Sequence, residues 1–307
     1  RCIIKIPPAQ KPFVCFVTLW CNKYGYDRSR LVQKFALTRT VGAGDPAVAS
    51  EFLAIFTPLS KNRIKDAMAK GAVWLTKSKR AQRRIRRANT TLKPGDRISI
   101  YYDGALLSLI PPPVELISDQ KRFSVWLKPA GLLSQGTKYG DHCALLRQVE
   151  QIYRTKRDVY LVHRLDREVS GLVLLAHDRT AAAKMSDLFQ KQQIIKRYAA
   201  RVRGNPSESR PAGIIDLELD GKPAKTEFRV EVYEADTHTS TVRIIMGSGR
   251  KHQIRRHFDM IGHPVMGDPR YGKGNKNSAG LQLVATGLEF SCPFSKKKQV
   301  FKTAAGF

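Results

Sequence analysis

Apolar residues recur along this 307-residue chain at two spacings, one near a helical turn and one of two residues. Phe52, Leu53, Ile55 and Phe56 group as a short apolar helix. Ser60 is placed to cap a second helix through Lys70, with Ile64 and Met68 four apart on one face and Gly71 closing it. Ala72-Val73-Trp74-Leu75 reads as a strand, Leu92-Lys93-Pro94-Gly95-Asp96 as a turn, and Arg97–Tyr102 as an alternating strand. Between the two strands runs a connection dense in cations: Lys77, Lys79, Arg80, Arg83, Arg84, Arg86 and Arg87.

Pro111-Pro112-Pro113 is a stiff break. Beyond it, Phe123–Leu127 reads as a strand and Lys128-Pro129-Ala130-Gly131 as a turn. Val159–Val162 and Leu172–Ala176 are short buried strands bracketing a polar loop. Asp178 caps a helix with Ala181, Met185, Leu188 and Phe189 on one face. Tyr198, Ala200 and Val202 alternate as on a half-buried strand, as do Val242, Ile244 and Met246. Ile254, Phe258 and Ile261 mark a helix face that starts near Gly249 and stops at Gly262. Many strands in succession, with helices between them, predict an α+β fold with a mixed or antiparallel sheet. The predicted organisation is a basic extension over 1–46, a small helix-and-hairpin domain over 47–104, a Pro-rich linker over 105–119 and a larger domain over 120–307. There is no internal repeat and no low-complexity tract.

Charge changes the picture from a generic globular chain to one built for a polyanion. Lys and Arg number 54 against 26 Asp and Glu, a formal net charge of +28, and the cations cluster. Such a surface attracts phosphate backbones and releases their counterions, so nucleic acid is the expected partner. A basic protein that touches anionic lipid is the weaker alternative, since no amphipathic anchor supports it. Cys2, Cys15, Cys21, Cys143 and Cys292 are scattered without a Cys-x-x-Cys pair, which fits a reducing compartment and no structural zinc. The apolar stretch Phe13–Cys21 is too short to span a bilayer, and no small-residue cleavage site follows it. A cytoplasmic location is expected, with organellar targeting left open because Asp27 is the first acidic residue. No membrane association and a monomer are expected.

Two clusters carry candidate chemistry. The first is His163-Arg164-Leu165-Asp166-Arg167-Glu168-Val169-Ser170-Gly171, a carboxylate among cations at a strand end. An ionised carboxylate there serves as nucleophile or general base, or pairs with an arginine to hold a loop; residue chemistry alone leaves both open. The second is Gly249-Arg250-Lys251-His252-Gln253-Ile254-Arg255-Arg256-His257, at the start of a helix. Arg255, at the edge of the apolar face, is placed to reach inward to a buried carboxylate, with Asp166 the obvious partner. A phosphate-binding helix start without catalysis is the alternative. His252 and His257 are five apart and fall on different helix faces, so no metal site is expected. Without a Walker loop or dinucleotide fingerprint, no organic cofactor is expected either.

These residues resemble a known family. His163-Arg164-Leu165-Asp166-x-x-x-Ser170-Gly171-Leu172 is similar to the signature of the RluA-type pseudouridine synthases. So are Lys128-Pro129-x-Gly131-Leu132, Lys196-Arg197-Tyr198 through Gly204, and Gly249-Arg250-x-His252-Gln253-Ile254-Arg255 with Gly262-His263-Pro264 through Gly267-Asp268-Pro269-x-Tyr271-Gly272. The four motifs occur in order over about 120 to 300. Ahead of them, Ser60–Lys65, Gly71 and Leu92–Asp96 resemble the S-four fold, a small RNA-binding module first seen in a small-subunit ribosomal protein.

The resemblance implies an isomerase that detaches uracil from a flipped-out uridine in RNA and rejoins it through carbon 5, with neither metal nor cofactor. It implies Asp166 as essential carboxylate, Arg255 as its orienting partner and Tyr198 stacked on the uracil. Arg164 would fill the gap left by the nucleotide, and His252, Gln253 and Ile254 would contact substrate. Arg63, Lys65, Lys70, Arg80, Arg83, Arg84, Arg86 and Arg87 would bind RNA from the small domain, with ribosomal RNA expected ahead of transfer RNA. The rival reading is a non-catalytic RNA-binding or ribosome-assembly protein in a synthase-like shell. Val169 stands where the family often has Thr, Leu127 where a polar residue is common, and Val284 where a His is frequent. None of these removes a proposed chemical group.

Overall fold

The structure is a computed structural model and describes residues 34–77, 80–154 and 156–303. The basic extension to residue 33, with Phe13–Cys21 and Asp27, lies outside the described residues, as does Lys79. The chain divides into two compact units, one reaching to Ile110 and including Gly136–His142, the other Pro111–Gln135 with Cys143 onward.

The first unit contains β1 (Lys34–Thr40), α1 (Ala49–Phe56), α2 (Lys61–Ala69), β2 (Val73–Thr76), β3 (Arg83–Arg84), β4 (Arg97–Asp103) and α3 (Gly104–Leu107). Ser60 caps α2 by accepting the Arg63 amide, as its position predicts. Phe52, Leu53, Ile64, Met68, Val73, Leu75, Ile98 and Ile100 form a closed core under a sheet of order β1-β4-β2-β3. Lys34–Thr40 is not part of an unassigned extension, as its composition suggests, but a strand that pairs antiparallel with β4 along its whole length. Its alternation is faint because, on a sheet edge, even its inward residues Phe35, Leu37 and Arg39 are only half-buried.

The second unit contains β5 (Glu115–Asp119), β6 (Phe123–Lys128), α4 (Leu145–Tyr153), β7 (Tyr160–Leu161), β8 (Ser170–Ala176), α5 (Arg179–Gln190), β9 (Ile195–Arg203), α6 (Pro206–Ser209), β10 (Ile214–Asp216), β11 (Lys225–Glu234), β12 (Thr239–Met246), α7 (Gln253–Met260), β13 (Leu283–Ser291) and β14 (Lys298–Lys302). They build a ten-stranded sheet of order β10-β11-β12-β9-β13-β8-β6-β5, with β14 on β13 and β7 on β8. Pairing is antiparallel except where β13 runs parallel to β8, so the sheet is mixed, as the pattern predicts. Glu115–Asp119 is a strand bonded to β6 and not linker; its mostly exposed residues hid it.

The apolar run Leu172–Ala176 reflects a strand buried on both faces. Val173 and Leu175 point into one core with Trp126, Ala200, Val242, Ile244, Ile254 and Phe258. Leu172 and Leu174 point into the other with Phe123, Val125, Met185 and Phe290. At the β8–β13 contact a Cβ on Gly171, whose φ is +122°, would lie 2.3 Å from the Ala285 carbonyl oxygen. Only glycine lets β13 approach at the point where the Asp166 loop enters the sheet.

Candidate active site

The His163–Val169 loop is anchored by buried groups. Leu165 and Val169 are buried and flank Asp166 in the chain. Ser134 Oγ donates to the Leu165 carbonyl at 2.8 Å and accepts its amide at 3.0 Å. Lys128 Nζ, fully buried, donates to the carbonyls of Leu132 at 2.8 Å, Pro129 at 3.1 Å and Arg167 at 3.3 Å. Burial lowers the Lys128 pKa to about 8, against the opposing pull of Glu168 and Asp166. This explains what Lys-Pro-x-Gly does for the site, which the sequence reading left without a role. His163, grouped with the cations in that reading, is a neutral anchor: its Nε2 accepts the Leu174 amide at 2.9 Å and its ring stacks on Phe189 at 4.2 Å. Burial first, and then Lys196, push its pKa down to about 3.

Asp166 and Arg255 meet, but not as an exclusive pair. Arg255 Nε and Nη2 fork onto Asp268 at 2.6 and 2.7 Å, with both side chains buried. The remaining Nη1 lies 3.4 Å from Asp166 Oδ2 and 3.6 Å from Glu168. Asp268, absent from the candidates read from sequence, is therefore the principal partner of Arg255. Burial raises the Asp268 pKa, but the Arg255 bridge and the amides of Arg270 and Tyr271 outweigh it and hold the carboxyl below its ordinary value. Gly267 makes the placement possible: a Cβ there would lie 1.7 Å from the Gly280 carbonyl oxygen. The Gly267-Asp268 dipeptide was the available signal, but spacing alone does not tell which arginine it serves.

Asp166 opens into a cavity of about 660 Å³ that also exposes Arg164, Tyr198, His252, Gln253, Ile254 and Arg255. Tyr198 projects from β9, flanked across the sheet by Ile244 and Ala285. Burial, then the nearby Asp166 charge, push its phenol up. Arg164 is exposed at this wall, with no hydrogen bond or ion pair to the other described residues. Gln253 departs from its expected role as substrate ligand. Its amide oxygen accepts from Ser248 Oγ and the Arg250 amide, and its nitrogen donates to the Lys225 carbonyl and Thr226 Oγ1. Every polar group of that side chain is spent on the scaffold. Lys196, also unforeseen, lines the cavity and donates to the Ser248 carbonyl at 2.7 Å, with burial lowering its pKa to about 8. Among the described residues no three His, Cys, Asp or Glu gather to hold a metal ion, and no helix is long and apolar enough to cross a membrane.

The small unit sorts the predicted RNA-binding cations into two groups. Arg63, Lys65, Arg80, Arg83 and Arg87 are exposed. Arg86 instead forks onto buried Asp141 at 2.5 and 3.0 Å, and Arg84 lies 3.4 Å from the same carboxylate with its guanidinium over Trp74. Lys70 pairs with Asp66 at 2.9 Å and donates to the Leu107 carbonyl. These three hold the unit together, and a charge count along the chain cannot separate them from the free ones.

The sequence profile for RNA pseudouridylate synthases matches residues 122–260, which contain Asp166, Tyr198 and Arg255. The dual-specificity RNA pseudouridine synthase RluA of Vibrio vulnificus is 33% identical over 215 residues, covering 62% of this chain and 84% of that protein. The protein of the same description from Salmonella typhi is 31% identical over 220 residues, covering 64% and 97%. The chain belongs to the RluA-type pseudouridine synthase family. It is an RNA pseudouridine synthase, an isomerase acting on RNA. The fold agrees: human RNA Pseudouridylate Synthase Domain Containing 1 superposes with a TM-score of 0.52 at 24% identity, covering 64% of this chain and 86% of that one. Human RNA Pseudouridylate Synthase Domain Containing 4 gives 0.50 at 22%, covering 62% and 87%.

Proposed function

We propose that this synthase isomerises uridines in structured RNA, ribosomal RNA first, with Asp166 as the essential carboxylate. The observation that carries the reading is the gathering of Asp166, Tyr198 and Arg255 on one cavity, with Arg255 Nη1 3.4 Å from Asp166 Oδ2. A base inside a helix must be extruded before it is worked on. The Tyr198 ring supplies an apolar face for the uracil, Arg164 a cation to fill the vacated stack, and Ile254 an apolar wall. In the reaction the bond from ribose carbon 1 to N1 breaks and a bond from the same carbon to C5 forms. A proton leaves C5 and one is taken up at N1, so no atom is gained or lost overall. Asp166 attacks the base or the sugar, or removes a proton from the sugar; all three need its carboxylate at the same place. A pure RNA binder would have no use for an oriented carboxylate of this kind.

The small unit docks RNA through Arg63, Lys65, Arg80, Arg83 and Arg87, as an S-four-like module would. That resemblance supports ribosomal RNA. Asp166→Asn is expected to abolish product while leaving RNA affinity within a few-fold, because affinity comes mostly from phosphate contacts. Turnover by that variant refutes the assignment of Asp166. Mapping pseudouridine in ribosomal and transfer RNA, with and without the protein, tests the substrate class.

A further inference from the structure

We propose that His252 and Tyr271 are positioning residues for Asp166: the Tyr271 hydroxyl fixes the imidazole so that its Nε2–H is aimed at Asp166 Oδ2. The inference rests on Asp166 being the essential carboxylate. His252 Nδ1 lies 2.9 Å from the Tyr271 hydroxyl, and Nε2 lies 3.6 Å from Asp166 Oδ2. Nδ1 is thus engaged by the hydroxyl, and Nε2 faces the carboxylate at ion-pair distance. A carboxylate opposite Nε2 favours the tautomer protonated there, so Nδ1 accepts and Tyr271 donates. The backbone is committed to this aim. His252 sits at φ 53°, ψ 30°, immediately before α7, a left-handed conformation uncommon for a non-glycine residue and concentrated at functional sites.

Arg255 cannot do this work alone. Its Nε and Nη2 are committed to Asp268, which leaves Nη1 alone to face Asp166, at 3.4 Å. His252 and Arg255 together hold Oδ2 from two sides and leave Oδ1 for the substrate. Distances of this kind in an unliganded site commonly shorten in the substrate complex. A neutral imidazole orients the carboxylate without neutralising it. Burial keeps His252 on the neutral side, with Arg255, Arg270 and Lys251 acting in the same direction and Asp166 against it. His163, Arg164, Lys196, Tyr198 and Arg250 are the other ionisable groups on this cavity.

His252→Ala is expected to lower kcat about tenfold to a hundredfold, with the Kd for substrate RNA within about threefold, a loss below that of a donor touching the reacting atoms. His252→Gln should recover most of it, since its amide N–H can replace Nε2–H, and Tyr271→Phe should fall between. On the acid side, at a pH that burial pushes below the ordinary imidazole value, the ring gains a proton and clamps Asp166 as a full ion pair, so wild-type kcat should fall; in His252→Gln that limb should move to lower pH. Wild-type kcat in His252→Ala, a loss expressed only in Kd, or a Gln variant no better than Ala with an unmoved acid limb each overturns the proposal. Asp166→Asn is assayed alongside. If it turns over, the reading of Asp166 itself fails; if it is dead while His252→Ala is fully active, only the positioning role does.

Discussion

Asp268→Asn isolates the arrangement on which the site is built. Asp268 is fully buried and the Arg255 side chain is 3% exposed, so the bridge between them has no water to replace either partner. Asparagine keeps the shape and one acceptor but removes the charge. The guanidinium is left with carboxylates 3.4 and 3.6 Å away that are themselves partly exposed. Removing one partner of a buried pair costs about 3–5 kcal/mol, and the retained acceptor places this variant near the lower end. With an m-value of about 2 kcal/mol per M, the urea midpoint at pH 7 should drop by about 1.5 M, read by circular dichroism. The pH dependence has a definite sign. Folding lowers the Asp268 pKa below its ordinary 3.8, so the unfolded chain takes up the proton first as pH falls. The stabilisation is complete above about pH 5 and is lost as pH drops through the unfolded value toward the native one. The gap between wild type and Asp268→Asn should therefore narrow from pH 5 to pH 3. Replacing both partners, as Arg255→Met with Asp268→Leu, should regain most of the stability yet restore no turnover, because Asp166 loses its arginine. A cost below about 1 kcal/mol at neutral pH, or a double variant no more stable than the singles, refutes the reasoning.

Tyr198→Phe should retain substantial turnover, because the proposed stacking uses only the ring face; complete loss in a single-turnover assay would assign the role to the hydroxyl instead. Replacing exposed Arg83 and Arg87 by Gln should weaken RNA binding and reduce its salt slope by about 2, with kcat at saturating RNA unchanged. Arg86→Ala should leave that slope intact and lower the melting temperature, since it breaks the fork onto Asp141.

What the sequence determined by itself is local or periodic. Alternation and apolar runs fixed the strands through Tyr198, Val242 and Leu172, and hydrogen bonding at Ser60 and Asp178 fixed two helix starts, because those interactions involve neighbours a few residues apart. The Asp166 loop was legible because its motif and its flanking strands are contiguous. Edge strands such as Lys34–Thr40 and Glu115–Asp119 were missed: half their residues face water, and the hydrophobic signal fades with exposure. Only the tertiary structure decided who pairs with whom. Arg255 is 89 residues from Asp166 but 13 from Asp268, and neither number says which carboxylate its fork will hold. The choice is made by backbone packing, where Gly267 against Gly280 brings Asp268 under the helix, and by dehydration, which makes the fully buried carboxylate the one that must be paired. The same rule separated Arg84 and Arg86 from Arg83 and Arg87, four like charges within five residues whose roles depend on which of them a folded chain shuts away from water.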